Sequence, residues 1–324
     1  MATAIRVHVH GGPEVLVHEE VEVSAPGAGE VRLAQTAIGL NFIDTYFRTG
    51  LYKPPALPFI PGGEGAGVVE SVGAGVVGLK PGDRVAYATG LGGYASLRLM
   101  PADRLVRVPD SVSDETAAAM MLKGMTARYL LRATYDVKPG SVILFHAAAG
   151  GVGLIAGQWA RALGATVIGT AGSPDKVKLA LEHGYHHVIN YRDENFVTRV
   201  KELTGGRGVD VVYDSVGRDT FAGSLDCLKP RGLFVSFGNA SGPAPDISLL
   251  TLAQKGSLFV TRPTLFTYIA SRADLEETAA DLMEVVANGT VRIPVSQTYA
   301  LKDAARAHSD LEGRMTTGAS VLIP

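Results

Sequence analysis

The stretch Ser141-Val-Ile-Leu-Phe-His-Ala-Ala-Ala-Gly-Gly-Val-Gly153 joins an apolar run to a glycine turn and the start of a helix. Within it, Ala148-x-Gly150-x-x-Gly153 has the form G-x-G-x-x-G with alanine in the first position. In such an elbow the second small residue lets the backbone approach a pyrophosphate, and the third lets the helix lie close on the strand. The N–H groups and dipole of the helix N-terminus then face the anion. Ala149, Gly150, Gly151 and Val152 are the candidate contacts. A glycine turn can also serve packing alone, but the strand–turn–helix setting favours a dinucleotide.

The end of the next strand discriminates between dinucleotides. An NAD site carries an acidic residue about 20 positions beyond the glycines, bonded to the ribose 2′-OH. Here the chain reads Ile168-Gly-Thr-Ala-Gly-Ser-Pro-Asp-Lys176, with no carboxylate directly after the strand. Gly172 leaves room, and the Ser173 hydroxyl and Lys176 ammonium suit a 2′-phosphate, so NADPH is expected. Asp175, in the same turn, argues the other way, and Lys176 as a merely solvated charge is the alternative reading.

The elements that must position these residues fall into two textures. Up to Leu99 the chain reads as short strands and turns: Ile5–His10, Val15–Val23, Glu30–Ile38, Glu64–Val72, Arg84–Ala88 and Tyr94–Leu99. Asn41 to Gly50 begins as a helix stopped by glycine, and Leu51–Pro61, with four prolines, is a loop. This is a mostly β domain, expected as a partly closed barrel. From Thr116–Thr134, a helix, the pattern alternates. Strands are expected at Ser141–Ala147, Ala165–Thr170, His187–Asn190, Val209–Asp214, Gly232–Phe237 and Gly256–Arg262. Helices are expected at Val152–Leu163, Pro174–Glu182, Glu194–Leu203 and Thr220–Leu228. Such alternation predicts an α/β, doubly wound parallel sheet. The tail, with helices at Ala273–Asn288 and Ala304–Glu312 around a strand at Val295–Tyr299, breaks the alternation and is expected to fold back onto the first domain. The expected division is 1–124 with 264–324, and 125–263.

Composition narrows the function. Thirty basic against 32 acidic residues leave a net charge of −2, which disfavours a nucleic-acid footprint or a polybasic membrane anchor. The single cysteine, Cys227, excludes an internal disulfide and a cysteine-based zinc site. The start lacks a signal-peptide pattern, and the most apolar stretch, Val142–Trp159, is broken by His146 and glycines, so a cytoplasmic protein is expected. His183-x-x-His186-His187 has no companion carboxylate pattern and reads as a solvent-facing turn; His146 reads as a packed residue.

Three segments carry a resemblance: Ala147-Ala-Ala-Gly-Gly-Val-Gly153, Asn41-Phe-Ile-Asp-Thr-Tyr-Phe-Arg-Thr-Gly-Leu-Tyr52 and Pro61-Gly-Gly-Glu-Gly-Ala-Gly67. Together with Val209–Gly217 and Ser236–Asn239 they resemble the zinc-independent quinone oxidoreductases, the zeta-crystallin-like branch of the medium-chain dehydrogenase/reductase superfamily. The resemblance runs over essentially the whole chain. It implies a GroES-like catalytic domain, a Rossmann domain and a cleft between them. Metal-dependent relatives carry Gly-His-Glu where this chain has Gly62-Gly63-Glu64, so no metal is expected.

The implied activity is NADPH-dependent quinone reduction by hydride or single-electron transfer. Asn41, Tyr46 and Tyr52 are the implied donors at the nicotinamide end, the tyrosines also offering flat apolar rings. Ordinary loop packing is the alternative for both tyrosines. Asp44 is implied near the cofactor, although Asp44 and Arg48, four apart, equally suit a pair on a helix face. Lys123 and Thr126 are carried over to the nicotinamide side, and Tyr191 beside Lys176. Ser215, Phe237, Gly238 and Asn239 follow predicted strands, where ligands of open parallel sheets bind. Arg262 and Arg314 are candidate phosphate partners, and Glu64 a structural residue of the glycine-rich turn. The apolar edge Gly256–Arg262 is expected to pair with its copy in a homodimer. An NADPH-dependent enone or alkenal reductase is the enzymatic alternative. An NADPH-holding crystallin-like or RNA-binding protein is the alternative from another class, though no Lys/Arg run supports RNA.

Overall fold

In the computed structural model, which describes residues 1–324, the chain forms two compact units. Unit 1 comprises Met1–Met125, Ile269–Ala287 and Ile293–Pro324, and unit 2 comprises Thr126–Tyr268 and Asn288–Arg292.

Unit 1 begins with β1 (Ala2–Val7), β2 (Leu16–Val21), β3 (Glu30–Leu40), α1 (Phe42–Thr49), β4 (Glu64–Val72), β5 (Arg84–Ala88), β6 (Leu97–Pro101) and β7 (Val106–Arg107). Helix α2 (Asp114–Tyr129) carries the chain into unit 2 and ends in a π-helical turn, Leu130–Thr134. Helix α1 has clear sequence causes. Asn41 precedes it in extended backbone, Asp44 lies in its first turn and Arg48 in its last, each sign suited to the helix dipole. Gly50 ends it at φ +83°, a left-handed conformation that glycine adopts without strain, and donates its N–H to Phe47 O at 3.2 Å.

Unit 2 alternates β8 (Val142–Phe145), α3 (Gly151–Ala162), β9 (Thr166–Ala171), α4 (Pro174–Glu182), β10 (His187–Asn190), α5 (Phe196–Leu203), β11 (Val209–Asp214), α6 (Phe221–Asp226) and β12 (Leu228–Ser236). Helix α7 (Leu249–Gln254), β13 (Phe259–Thr261) and α8 (Leu265–Tyr268) follow. All pairs are parallel, in the order β10-β9-β8-β11-β12-β13. Progress along the sheet reverses beside β8, so a switch point lies between β8 and β11, where ligands of such sheets bind beyond the carboxyl ends. Leu144, Ile168, Val212 and Phe234, all buried, come from four adjacent strands and anchor the core of this unit.

The tail supplies α9 (Arg272–Ala287), β14 (Val295–Ala300), α10 (Ala304–Glu312) and β15 (Ala319–Ile323) to unit 1. Its larger sheet runs β14-β15-β3-β4-β5-β7, with β6 also on β3, while β1 and β2 form a separate antiparallel pair. Strand β3 is the hub. It pairs with β4 along its length, with β6 over Glu30–Ala34 and with β15 over Ile38–Leu40. Its last residues, Ile38 and Leu40, pack in one core with Ile5, Val7, Tyr94 and Leu322. Phe47 of α1 packs against that core.

Most expected elements lie where patterning puts them, and the differences have local reasons. Tyr94–Ser96 precede β6 rather than belonging to it. Tyr94 N–H bonds Pro61 O and Ala95 N–H bonds Gly93 O in a turn set by Gly92 and Gly93. The helix expected to reach Thr134 leaves α geometry at Leu130. Two-residue β7, the short helices α7 and α8, and the terminal β15 carry too little periodicity to have been anticipated.

Candidate active site

The elbow of unit 2 is built from backbone. Ala147 turns the chain at φ +54°, and the Gly150 N–H bonds Ala147 O at 2.9 Å. Gly150 is the N-cap of α3, and a Cβ there would meet one atom within 4 Å, Ala147 O at 3.2 Å, so this side is open. Gly153 is the opposite case. Its Cβ would lie 2.5 Å from Ala147 O and 2.6 Å from Ala148 O, so only glycine lets α3 sit against the end of β8. The Tyr185 hydroxyl donates to Gly153 O at 2.8 Å and fastens that turn. An open glycine N-cap followed by first-turn N–H groups of Gly151 and Val152, which lack intrahelical acceptors, is a donor set that fits a pyrophosphate.

The end of β9 carries the second anion-directed group. Ser173 caps α4, its Oγ accepting the Lys176 N–H at 3.4 Å, which leaves the hydroxyl proton to donate elsewhere. Lys176 is half-buried in the first turn, whereas Asp175 is exposed. Gly172 packs against Tyr191: a Cβ there would lie 2.3 Å from the Tyr191 hydroxyl and push that half-exposed side chain aside. Gly172, Ser173, Lys176 and Tyr191 therefore form one local group. Arg262, expected as a phosphate partner, donates to Ser236 O at 2.9 Å. Arg314 belongs to unit 1, in a left-handed turn at φ +60° after α10.

The loops after β11 and β12 are laced together. Ala240 N–H bonds Ser215 O at 3.1 Å, and Ser241 N–H bonds Val216 O at 2.8 Å. A Cβ on Gly238 would lie 2.6 Å from Ser215 O, so Ser215, Phe237, Gly238 and Asn239 share one rim. Asp214, which the sequence reading passed over, organises it. Its carboxylate accepts from Val216 N–H (2.8 Å), Gly217 N–H (3.0 Å), Thr220 Oγ1 (2.7 Å) and Ser224 Oγ (3.0 Å). An acid closing the apolar run Val211-Val-Tyr-Asp214 was the available signal. His146, expected as simple packing, is instead bonded on both nitrogens, Nδ1 to Thr170 Oγ1 and Nε2 to Ser224 Oγ, each at 2.9 Å. Since Ser224 gives its proton to Asp214, it accepts from His146 Nε2–H. Burial holds the His146 pKa below its ordinary value and keeps the ring neutral.

In unit 1 the candidate donors gather at α1. The Tyr46 and Tyr52 rings meet edge-to-face with centroids 5.3 Å apart, and the Tyr52 N–H bonds Tyr46 O at 3.0 Å. Asn41 directs its amide to Glu64 Oε1 at 2.8 Å, and its N–H to Asp44 Oδ2 at 2.9 Å, as in a capping box. Lys123 Nζ also bonds Glu64 Oε1, and Leu122 N–H bonds Glu64 Oε2 at 2.6 Å. Glu64 is thus a buried junction of β4, α1 and α2, and Lys123, placed by resemblance on the nicotinamide side, is engaged by it. Thr126, one turn on along α2, is the first residue of unit 2 and is buried.

The suggested Asp44–Arg48 pair does not form. Arg48 bonds Glu312 with Nη2 at 2.8 and 2.9 Å, His308 Nδ1 with Nη1 at 3.0 Å, and Gly11 O with Nε at 3.1 Å. Asp44 instead accepts from the Tyr94 hydroxyl at 2.9 Å, and that oxygen lies 3.0 Å from His308 Nε2. Tyr94, His308 and Glu312 were invisible to local pattern, lying 50 to 264 residues from their partners. Burial raises the Asp44 carboxyl to about 7 from an ordinary 3.8, against hydrogen bonds from Asn41 and Tyr94. Burial and the adjacent Arg48 lower His308 to about 3 from an ordinary 6.5.

These opposite shifts predict a cancellation. Between pH 3.8 and 6.5 the folded chain holds a proton on Asp44 that the unfolded chain has lost, which favours folding as pH falls. Over the same window the unfolded chain holds a proton on His308 that the folded chain excludes, which disfavours folding as pH falls. Asp44→Asn should therefore make stability fall about 1.4 kcal/mol per pH unit more steeply on acidification than in the native chain. Denaturant midpoints measured across this window check the sign, and parallel profiles for the variant and the native chain would contradict it.

No group of three or more His, Cys, Asp or Glu side chains is arranged to hold a metal ion. The His183–His187 turn is engaged locally, with His186 Nδ1 accepting the Val167 N–H at 3.1 Å and His183 Nδ1 2.7 Å from Leu179 O. Cys227 is buried, and burial pushes its thiol up to about 12. No helix is long and apolar enough to cross a membrane.

Comparison with known proteins agrees with this geometry. Residues 27–110 match the family described as alcohol dehydrogenase GroES-like domain, and residues 151–285 that described as zinc-binding dehydrogenase. The chain is 54% identical to a quinone oxidoreductase of Pseudomonas aeruginosa, with 100% of both chains covered. It is 48% identical to a 2-haloacrylate reductase of Burkholderia, covering 100% of this chain and 99% of that one. The crystal structure of Escherichia coli quinone oxidoreductase complexed with NADPH superposes with a TM-score of 0.98, at 54% identity over 99% of this chain and 100% of that one. An elbow fitted to a pyrophosphate and likeness over the full length lead to one assignment: the chain belongs to the zinc-independent quinone oxidoreductases of the medium-chain dehydrogenase/reductase superfamily.

Proposed function

We propose that the protein is an NADPH-dependent quinone reductase, converting a quinone, NADPH and one proton into a hydroquinone and NADP⁺. The observation that carries the reading is the open glycine N-cap of α3 in a chain 54% identical over its whole length to quinone oxidoreductases. When bound, NADPH supplies the hydride. The chain's own residues bind and orient. The N–H groups of Ala149, Gly151 and Val152 would hold the pyrophosphate, with the bare Gly150 letting it approach while its own N–H stays on Ala147 O, and Gly172, Ser173 and Lys176 would hold the 2′-phosphate beside Tyr191. In unit 2, Ser215, Phe237, Gly238, Asn239 and Thr126 are the residues that would bind the nicotinamide half; in unit 1, Asn41, Asp44 and Lys123 are the corresponding candidates and Arg314 a further candidate phosphate partner.

Reduction of a quinone puts negative charge on an oxygen conjugated to a ring, so hydrogen-bond donors stabilise it without a metal. Tyr46 and Tyr52 supply hydroxyls and ring faces for a planar acceptor, and Asn41 a further polar contact. The similarity to a 2-haloacrylate reductase favours a second reading, hydride addition to an activated C=C bond. Turnover of a quinone panel against an enone and 2-haloacrylate panel decides. The first reading expects higher kcat/KM on quinones; preference for the alkenes would replace it with the second.

We also infer a homodimer through β13, the sheet edge, where Phe259 is 61% and Val260 38% exposed. An apolar edge strand gains from pairing with its copy. Phe259→Asp should convert a dimer to a monomer in sedimentation, and a native chain that already sediments as a monomer would rule the interface out. The lone buried thiol suits a reducing, cytoplasmic setting.

A further inference from the structure

We propose that Tyr94 and His308 are positioning residues for quinone reduction, acting through Asp44 to hold the first turn of α1, which carries Asn41 and Tyr46. The inference rests on the quinone-reductase reading above. Its basis is a buried chain of hydrogen bonds with a single direction. Arg48 Nη1 can only donate, so His308 Nδ1, 3.0 Å away, accepts. A neutral imidazole then carries its proton on Nε2 and donates it to the Tyr94 oxygen at 3.0 Å. The Tyr94 proton is left for Asp44 Oδ2 at 2.9 Å, and the same oxygen accepts the Asn41 N–H at 2.9 Å. Tyr94 and His308 are fully buried, and Asp44 and Arg48 are 1% exposed. The chain thus links α10, the turn before β6 and the N-terminus of α1.

The same geometry argues against a proton wire. A relay would have to reload His308 at Nδ1, and the group there is a guanidinium, which does not give up its proton. The arrangement is suited to holding, with Glu312 anchoring Arg48 at the far end. The titratable groups facing Asp44 are Glu64 on β4, Lys123 on α2, Tyr87 on β5 and Tyr94, and behind Tyr94 stand His308 and Glu312 on α10 with Arg48 of its own helix. Within this set Asp44 is the group brought to about 7. Ionised, it accepts both the Asn41 N–H and the Tyr94 O–H. Protonated, it accepts them more weakly and the first turn of α1 loosens. Quinone turnover should then decline as pH falls through about 7.

The test compares the native enzyme with Tyr94→Phe, His308→Leu, His308→Gln and Asp44→Asn, measuring pH profiles of kcat/KM for quinone, NADPH affinity and thermal midpoints. Tyr94→Phe and His308→Leu should each lower kcat/KM about tenfold, the effect of one hydrogen bond to a charged group. NADPH affinity, carried mainly by the phosphate-directed groups of unit 2, should change by less than the quinone kcat/KM. Both should move the acid limb to higher pH. His308→Gln, whose amide can still donate to Tyr94, should recover most of the activity, and Asp44→Asn should abolish the acid limb. Profiles of Tyr94→Phe and His308→Leu that superpose on the native one, whatever their thermal midpoints, overturn the proposal, as does an acid limb retained in Asp44→Asn. A variant that does not fold leaves the decision to the remaining ones. A native enzyme that oxidises no NADPH with quinone would instead refute the functional reading.

Discussion

Glu64→Ala is expected to destabilise unit 1 by about 3–5 kcal/mol, the cost of stranding a buried charge when its partner is removed. Lys123, 5% exposed, would lose its ion-pair partner and keep only the more distant Asp44 as a nearby acid. Asn41 Nδ2 and Leu122 N–H would lose their acceptor at the same time. Because one carboxylate ties β4 to both α1 and α2, the loss should be seen in activity as well as in denaturant midpoint. Glu64→Ala combined with Lys123→Met should recover part of the stability by removing the stranded charge, but not the activity that depends on where Asn41 points. A single variant as stable as the native chain would show that the junction is solvated and unimportant.

Lys176→Ala should raise the NADPH dissociation constant about 10- to 100-fold, since a hydrogen bond from an ammonium to phosphate contributes about 1.5–3 kcal/mol. The dissociation constant for NADH should barely change, because NADH lacks the 2′-phosphate. The reasoning is local: β9 ends without a carboxylate, Ser173 caps α4 with a proton left to give, and Lys176 stands in the first turn where the helix dipole adds to its charge. Fluorescence titration of both cofactors against both proteins is sufficient. Equal losses for NADPH and NADH, or none for either, would remove the 2′-phosphate assignment. Asp175 is exposed in the same turn, and its replacement by asparagine should strengthen NADPH binding modestly by removing a like charge.

What was legible in the sequence was what local chemistry dictates. Helix α4 runs from Pro174 to Glu182, and β5, β10 and β11 have the bounds that patterning suggested, because prolines, glycines and short apolar runs punctuate them. The elbow was legible for the same reason: strand, small residues and helix are contiguous. The polar interior of unit 1 was not. Asp44 and Arg48 stand at helical spacing with opposite charges, yet Arg48 reaches two acceptors 260 and 264 residues away, and Asp44 takes a donor 50 residues away. A short-range rule worth about 0.2–0.5 kcal/mol loses to buried partners that must be satisfied. The same holds for His146, whose two bonds come from β9 and α6. Spacing along a chain predicts which residues face together, whereas the partner of a buried polar group depends on which distant element covers it.

Transfer of reducing equivalents from NADPH to a quinone by this chain should need no bound metal. The most direct measurement is the nicotinamide absorbance of NADPH mixed with chelator-treated protein, with and without a simple quinone. Decay should require the quinone, proceed at an unchanged rate after chelation and be far slower with NADH. No quinone-dependent decay, or activity lost on chelation and restored by zinc, would contradict this expectation.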